Sequence, residues 1–186
     1  MRTIIRMMVV LTLIGAASGL CLAAIHQVTA ERIEYQLIKF VKEPAVKKVL
    51  TGYDNDPILD RTKITVGTDE RGNPIELVVF PAKKGGETFA VAIEGRGKGY
   101  HGTIGVMVGV SKDGEITDIG ITSHSETPGI GSRVTEEAFT TRFKGRPVTG
   151  DIQVDGISGA TYSSKGVMSA VNEALAHVRK FKQELF

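Results

Sequence analysis

The stretch that decides the fold is residues 102–114, which read GTIGVMVGVSKDG. Its first nine residues alternate, with Ile104, Val106, Val108 and Val110 on one face and Gly105, Met107 and Gly109 on the other. Strict alternation predicts a β-strand, because successive side chains of a strand point to opposite faces of the sheet. The turn signal SKDG at 111–114 and the β-rich run at 115–123 then predict an antiparallel hairpin.

Upstream of this hairpin, three more β-rich runs lie at residues 62–68, 75–81 and 88–94, separated by glycine, proline and charged turns. Downstream, Thr135 is placed to cap a short helix that ends at Phe143, and residues 151–154 suggest a last strand. A strong helix is predicted from 163 to 182 on an apolar stripe that includes Val167, Val171 and Leu175. Antiparallel strands with flanking helices predict an α+β domain and argue against a wound βαβ sheet.

The N-terminal region predicts a membrane anchor, because residues 7–25 contain no charged side chain. As a helix these residues span about 28 Å, close to the ~30 Å of a bilayer core. Arg2 and Arg6 precede them, which favours a cytoplasmic N-terminus. The expected organisation is a cytoplasmic segment at 1–6, an anchor at 7–25, a connecting helix at 26–50 interrupted by Pro44, and an extracytoplasmic domain at 51–186. Two alternatives are a cleaved signal peptide, with a poor cleavage site at 22–24, and a lipoprotein on Cys21, where Leu20 replaces the expected small residue.

Composition excludes several classes of protein. The formal net charge is +2, which Arg2 and Arg6 alone supply, so no basic stripe remains for nucleic acid. Cys21 is the single cysteine and cannot by itself build a disulfide, a Cys-ligated zinc site or an iron–sulfur cluster. Neither a catalytic residue nor a metal site is predicted.

Residues 97–102 satisfy the bare dinucleotide pattern G-x-G-x-x-G. That pattern needs a strand before it and a helix after it, so that the pyrophosphate meets helix amides. An alternating strand follows here, so we interpret the glycines as a bend or bulge that leads into the hairpin.

Residues 124–131, HSETPGIG, directly follow a predicted strand. Pro128-Gly129 is a type II turn signal, because glycine tolerates the positive φ at the third turn position. On local grounds this segment is either an ordinary surface turn or a ligand-contact loop.

Residues 155–161, DGISGAT, lie between a predicted strand and the long C-terminal helix. Such a junction exposes backbone amides at a helix N-terminus, where phosphate groups bind well. Two other interpretations compete with a phosphate site. Ser163 or Ser164 could be a simple helix N-cap, and residues 156–160 could begin a hydrolase elbow, although Ala160 replaces the required last glycine.

The segment from Asp155 to Thr161 resembles the flavinylation motif of the FMN-binding domain family. In particular it is similar to the G subunits of Rnf-type ferredoxin:NAD electron-transport complexes, of which the C subunits of the sodium-pumping NADH:quinone reductase are longer relatives. The N-terminal anchor, the glycine-rich lead at 95–102, the loop at 126–129 and the segment 163–170 resemble the same family in the same order. The resemblance therefore covers most of the chain.

The resemblance implies that FMN is esterified through its phosphate to Thr161. In this family a flavin transferase uses FAD and magnesium to attach FMN phosphate to the motif threonine, on the extracytoplasmic side. The residues expected on the phosphate side are Asp155, Ser158, Gly159, Ala160, Ser163 and Ser164.

The resemblance also implies that the loop at 126–129 lies against the isoalloxazine ring. The residues expected there are His124, Glu126, Thr127, Pro128 and Gly129. His124 either contacts the flavin or only ends the strand, and both interpretations stay open.

The implied function is an electron-carrying subunit of a membrane complex that couples ferredoxin and NAD chemistry to ion translocation, with other membrane subunits as partners. No catalysis outside that assembly is expected, since flavin chemistry is the cofactor's own. One alternative is a free-standing anchored FMN domain that serves another reductase or senses redox state. Another is a secreted binding domain without a cofactor.

Overall fold

The computed structural model of the protein describes residues 2–68, 72 and 74–186. The chain forms two compact units, one extending to Phe40 and the other comprising Val41–Phe186. The turn predicted between the first two strands includes residues 69–71 and 73, and these, like residue 1 of the predicted N-terminal segment, lie outside the described residues.

The first unit is helical. Helix α1 comprises Arg2–Leu37, and its segment Arg2–Ala30 is long and apolar enough to cross a membrane. Twenty-nine residues of helix measure about 44 Å, which exceeds the ~30 Å hydrocarbon thickness. The apolar side chains of this segment are exposed, as a helix surrounded by lipid requires. In the described part of the chain it is the single candidate span, and the predicted anchor at 7–25 lies inside it.

The helical hydrogen-bond pattern changes just before Pro44, the residue at which the sequence predicts an interruption of the connecting helix. A π-helical turn, Ile38–Lys42, follows α1, and helix α2 then comprises Glu43–Val49. Pro44 lies at the start of α2, where the absence of its N–H leaves no helical hydrogen bond unmade.

The second unit is built on a five-stranded antiparallel sheet with the strand order β1-β2-β3-β4-β5. The strands are β1 Thr62–Thr68, β2 Pro74–Lys84, β3 Glu87–Lys98, β4 Thr103–Ser111 and β5 Ile116–Ser123. All five predicted strands of this sheet are confirmed. The β4–β5 turn closes with hydrogen bonds between Ser111 and Glu115 and from Gly114 N to Ser111 O, each 2.9 Å long, and Gly114 has a φ of +84°.

Both faces of the sheet are covered. The long helix α4, Thr161–Lys180, packs its predicted stripe on the face that carries Val106 and Val108. Helix α2 covers the opposite face, where Met107 packs with Val46. The two faces of β4 therefore pack into two different hydrophobic layers, and the side chains on both faces are buried.

Helix α4 lies unusually close to strand β3 because glycines face it. A Cβ on Gly95 would overlap the carbonyl oxygen of Ala170, and one on Gly97 would overlap that of Gly166. Of the bend or bulge predicted for this run, the bend is confirmed at residues 100–102, whereas the register of β3 with β4 is continuous from Ala90 to Lys98 and contains no bulge. The glycine-rich run instead permits close helix packing and then a turn, in which Gly99 N donates to Gly102 O at 2.8 Å.

The strand predicted at 151–154 is also wrong, because this segment forms no strand and contacts side chains of α4 instead. Asn172 accepts a hydrogen bond from Ile152 N at 2.7 Å and donates one to Ile152 O at 3.1 Å. Met168 Sδ lies 3.4 Å from Val154 N. Four helical residues advance about 6 Å and two residues of extended chain about 6.6 Å, so the spacing of these contacts indicates an extended backbone.

The predicted cap at Thr135 is wrong as well. Residues Gly131–Thr135 form a 3₁₀ turn, and Thr135 Oγ1 donates to Ser132 O at 2.9 Å. Helix α3 comprises only Glu137–Thr140 and is followed by a second 3₁₀ turn, Thr141–Phe143. After α4, a last short helix, α5, comprises Lys182–Leu185.

Candidate functional site

The site begins at the N-terminus of α4, where Thr161 is the first helical residue and is exposed. Gly159 has a φ of +81°, which turns the chain into the helix. The N-cap residue is Ala160, whose side chain makes no capping hydrogen bond. The first amides of a helix lack intrahelical acceptors, so those of Thr161, Tyr162 and Ser163 are available to an anion.

Two serines in the first turn of α4 point inward and are buried. Ser164 Oγ accepts a hydrogen bond from Ile157 N at 2.9 Å and so closes the loop that precedes the helix. Ser163 Oγ donates to the carboxylate of Glu126. Neither serine is the N-cap, so that interpretation of the sequence is wrong.

Glu126 joins three segments of the chain through one carboxylate. Besides Ser163, the amides of Tyr100 and His101 donate to it, at 3.2 and 3.1 Å. The residue is only 4% exposed. Burial acts to raise the pKa of Glu126, but the hydrogen bonds from Ser163, His101 and Tyr100 together outweigh it and hold the pKa below its ordinary value. Glu126 is therefore a buried anion that fixes the β3–β4 turn, its own loop and the start of α4 together.

These three segments enclose a half-open cavity of about 320 Å³. The lining residues are Tyr100, Glu126, Thr127, Ile130, Gly131, Gly159, Ala160, Thr161, Tyr162 and Ser163. Gly131 has no room for a side chain, since a Cβ there would lie 2.8 Å from Ser163 Oγ and 2.9 Å from Glu126 Cβ. The wall combines the buried carboxylate of Glu126, the exposed hydroxyl of Thr161 and a rim formed by Tyr100, Ile130 and Tyr162.

The loop that follows β5 contains the turn predicted at Pro128-Gly129. Ile130 N donates to Thr127 O at 3.2 Å, and Gly129 has a φ of +73°. Gly129 N also donates to Ser132 Oγ at 2.8 Å, so the turn is closed on both sides. Thr127 Oγ1 lies 3.3 Å from Nδ1 of His101, which connects the loop to the β3–β4 turn.

The structure brings some of the predicted site residues together at this cavity and leaves others outside it. Those that line it are Glu126, Thr127, Gly159, Ala160, Thr161 and Ser163. Those outside its wall are His124, Pro128, Gly129, Asp155, Ser158 and Ser164. The imidazole of His124 is exposed and accepts from Glu126 N at 3.3 Å, and the Asp155 carbonyl accepts from Arg142.

Four lining residues were missed by the sequence analysis, namely Tyr100, Ile130, Gly131 and Tyr162. The glycine run at 97–102 pointed to Tyr100, and the motif threonine is directly followed by Tyr162. Among residues 2–68, 72 and 74–186, no group of three or more His, Cys, Asp or Glu side chains is placed to hold a metal ion.

Comparison with known proteins identifies the family. The profile of the FMN-binding domain matches residues 99–176, a range that includes every residue lining the cavity. The G subunit of an ion-translocating oxidoreductase complex from Methanosarcina acetivorans is 30% identical, over 95% of this chain and 95% of its own length. The chain belongs to this family of G subunits.

Other relatives agree with that assignment. The G subunit of the proton-translocating ferredoxin:NAD⁺ oxidoreductase complex of Clostridium ljungdahlii is 27% identical, over 92% of this chain and 89% of its own length. The crystal structure of NqrC from Shewanella oneidensis superposes with a TM-score of 0.53 at 25% identity, covering 71% of this chain and 74% of that one. The α+β fold expected from the sequence is thereby confirmed.

Proposed function

We propose that this chain carries FMN esterified through its phosphate to Thr161 and transfers electrons as one subunit of a membrane-bound oxidoreductase complex. The observation that supports this most directly is the exposed Thr161 hydroxyl at the uncapped start of α4, in the wall of the 320 Å³ cavity. FMN supplies one- and two-electron redox chemistry that side chains lack. The chain's own residues then have to hold, orient and shield the cofactor.

The start of α4 suits the phosphate. A phosphodiester carries a single negative charge, which the partial positive charge of a helix N-terminus stabilises by about 0.3–1 kcal/mol. The amides of the first turn have no side-chain cap to compete with the phosphate, since Ala160 occupies the capping position. An Asp or Ser at that position would occupy one of these amides.

The cavity suits the rest of the cofactor. Ligand pockets measure about 300–1,000 Å³, so a volume of about 320 Å³ lies at the lower limit and leaves part of a flavin exposed. Partial exposure is what a relay needs, because electrons must pass to and from partner proteins. The apolar rim matches the ring, and the uncapped amides at the start of α4 match the phosphate end.

Attachment requires an enzyme and a balanced exchange of bonds. The Thr161 oxygen forms a bond to the phosphorus of the FMN half of FAD, the phosphoanhydride bond breaks, AMP leaves, and the hydroxyl proton is released. We assign this step to a flavin transferase that uses FAD and Mg²⁺. Exposure of Thr161 supports it, since a buried hydroxyl such as that of Ser163 is closed to a second protein.

The relatives support a role for this chain within a larger complex. Both relatives are subunits of multi-subunit complexes, and we propose that other membrane subunits are the electron partners of this chain. One relative's name specifies protons and the other only ions, so we assign to this chain the electron-carrying step and not the ion path. We place the domain on the extracytoplasmic side of the membrane.

The test is substitution of Thr161 during co-expression with a flavin transferase. Thr161→Ala should abolish covalent flavin, seen as loss of ultraviolet fluorescence from the denatured band and of the FMN mass from the intact protein. Thr161→Ser should keep part of the label, because the nucleophilic oxygen remains. Stability should change by less than about 1 kcal/mol, as expected for one exposed hydroxyl.

Thr149→Ala is the matched control, because Thr149 is an exposed threonine of the same unit outside the cavity wall. It should be labelled like the parent. A fluorescent band that persists in Thr161→Ala would move the attachment to another hydroxyl, and exposed Ser158 would then come before buried Ser163.

A further inference from the structure

Two tyrosine side chains meet at the cavity. The sequence has no tryptophan and four tyrosines, two of which, Tyr100 and Tyr162, line the cavity. They belong to different elements, the β3–β4 turn and the first turn of α4. Their ring centroids are nevertheless only 6.1 Å apart, with a 45° angle between the planes.

Exposed apolar surface is concentrated at the same place. In the described part of Val41–Phe186, the exposed large apolar residues are Val41, Leu59, Ile75, Tyr100, Ile130 and Tyr162. Three of them form the rim of the cavity, with Tyr100 67%, Ile130 54% and Tyr162 68% exposed. Isolated exposed apolar residues are ordinary, whereas a cluster beside a cavity indicates a bound apolar partner.

A flavin tethered at Thr161 needs such a second contact. The phosphate fixes only one end of the cofactor, and the ribityl chain between phosphate and ring rotates freely. The tether keeps the ring at high local concentration, so even a weak contact is enough to hold it. Tyr162 follows the attachment residue directly, and Tyr100 lies beside it.

We propose that Tyr100 and Tyr162 form the aromatic contact of the isoalloxazine ring, which therefore lies at the mouth of the cavity; this inference rests on the proposed attachment at Thr161. Aromatic rings prefer offset or tilted contacts to a face-to-face sandwich, and the 45° angle presents the flavin with two differently inclined surfaces. Ile130 adds an aliphatic contact on the loop side. The two tyrosines fix the ring and leave one side of it open to a redox partner.

Fluorescence distinguishes this arrangement from a ring that extends into solvent. A tyrosine phenol in contact with a photoexcited flavin donates an electron that then returns, so the emission is lost and no net reaction occurs. Phenylalanine keeps the aromatic contact and lacks the readily oxidised phenol. Since the protein has no tryptophan, quenching by aromatic side chains within Val41–Phe186 has to come from Tyr53, Tyr100 or Tyr162.

The experiment uses the full chain in detergent with FMN attached, and compares flavin emission before and after denaturation. Tyr100→Phe and Tyr162→Phe should each raise the native-to-denatured ratio severalfold, and the double variant should raise it most. Tyr53→Phe is the matched control and should leave the ratio unchanged, because Tyr53 packs against the α2 side of the sheet. Tyr162→Leu should also shift the visible absorption bands, whereas Tyr162→Phe should not.

Intact mass separates failure of this inference from failure of the proposed function. Protein that gains no FMN at Thr161 would refute the attachment itself. Protein that gains FMN, but in which the double Phe variant keeps the emission ratio of the parent, would overturn the aromatic contact. Both tyrosines are mostly exposed, so the Phe variants should fold like the parent, and thermal unfolding checks this.

Discussion

Among single residues, Glu126 connects the three segments that enclose the cavity. Its carboxylate accepts from a hydroxyl on α4 and from two amides of the β3–β4 turn, so three segments distant in sequence meet at one anion. A buried carboxylate without such donors would take up a proton, because desolvation disfavours the charged form. With them, the anion is the stable form.

Glu126→Gln should therefore destabilise the domain by about 2–3 kcal/mol at pH 7, since hydrogen bonds to a charged group are the strong ones. The folded pKa lies below the ordinary value of 4.5, so the stabilisation is complete above that pH and is lost as the pH falls through the folded pKa. The stability gap between parent and variant should stay constant from pH 7 down to about pH 4.5 and should narrow as the pH falls further. Chemical denaturation at a series of pH values measures it.

Glu87→Gln is the control for this experiment, because Glu87 is exposed at the start of β3. It should lie within about 0.5 kcal/mol of the parent at every pH, as exposed substitutions usually do. A constant gap between parent and Glu126→Gln across the pH range would contradict the assignment of a buried anion.

The role of Glu126 also marks the limit of inference from sequence. The loop at 126–129 was expected beside the isoalloxazine, and Glu126 and Thr127 do line the cavity. The sequence did not predict that the Glu126 carboxylate is already occupied by Tyr100, His101 and Ser163. Those donors lie 25 to 37 positions away, and local patterning carries no information at that distance.

At the scale of elements, the position of α4 depends on glycines in β3. A Cβ at Gly97 would overlap the Gly166 carbonyl and lie 2.7 Å from Ala170 N, both of them backbone atoms. Backbone cannot rotate away as a flexible side chain can, so α4 itself would have to move. Since Thr161 begins α4, the attachment point would move with it.

Gly97→Ala should cost about 1–3 kcal/mol, the usual range for overpacking a well-packed contact. Thermal unfolding in detergent, followed by near-ultraviolet circular dichroism, should show a lower midpoint. Gly67→Ala is the matched control in β1, because no heavy atom lies within 4 Å of its added Cβ. Equal midpoints for the two variants would refute close packing of α4 on β3.

Elements were predictable where their signal is local. The alternation of β4 and the stripe of α4 repeat within a few residues, so strand and helix could be assigned without knowing their neighbours. Residues 151–154 are extended as well, but their partners are Asn172 and Met168 on a helix. Extended chain and paired strand look alike in sequence, so that assignment failed.

The chain combines a helix that is long and apolar enough to cross a membrane with an FMN-binding domain. Arg2 and Arg6 precede the uncharged residues 7–25, while Arg32, Lys39 and Lys42 follow them, so the charge bias is mixed. The proposed ester linkage supplies a second argument. An esterified cofactor stays with the protein, which matters most on the side of the membrane where no cytosolic flavin pool can replace it.

We therefore predict that the N-terminus is cytoplasmic and the domain extracytoplasmic. Cys21 is the only cysteine, so Cys21→Ser gives a background in which single new cysteines report their side of the membrane. Lys112→Cys, in the exposed β4–β5 turn, should react with a membrane-impermeant maleimide in intact spheroplasts, whereas Thr3→Cys should react only after permeabilisation. The reverse pattern would place the domain in the cytoplasm and remove the argument for the tether. Loss of the Thr3→Cys label under both conditions, with a mass lacking the first residues, would instead identify a cleaved signal peptide.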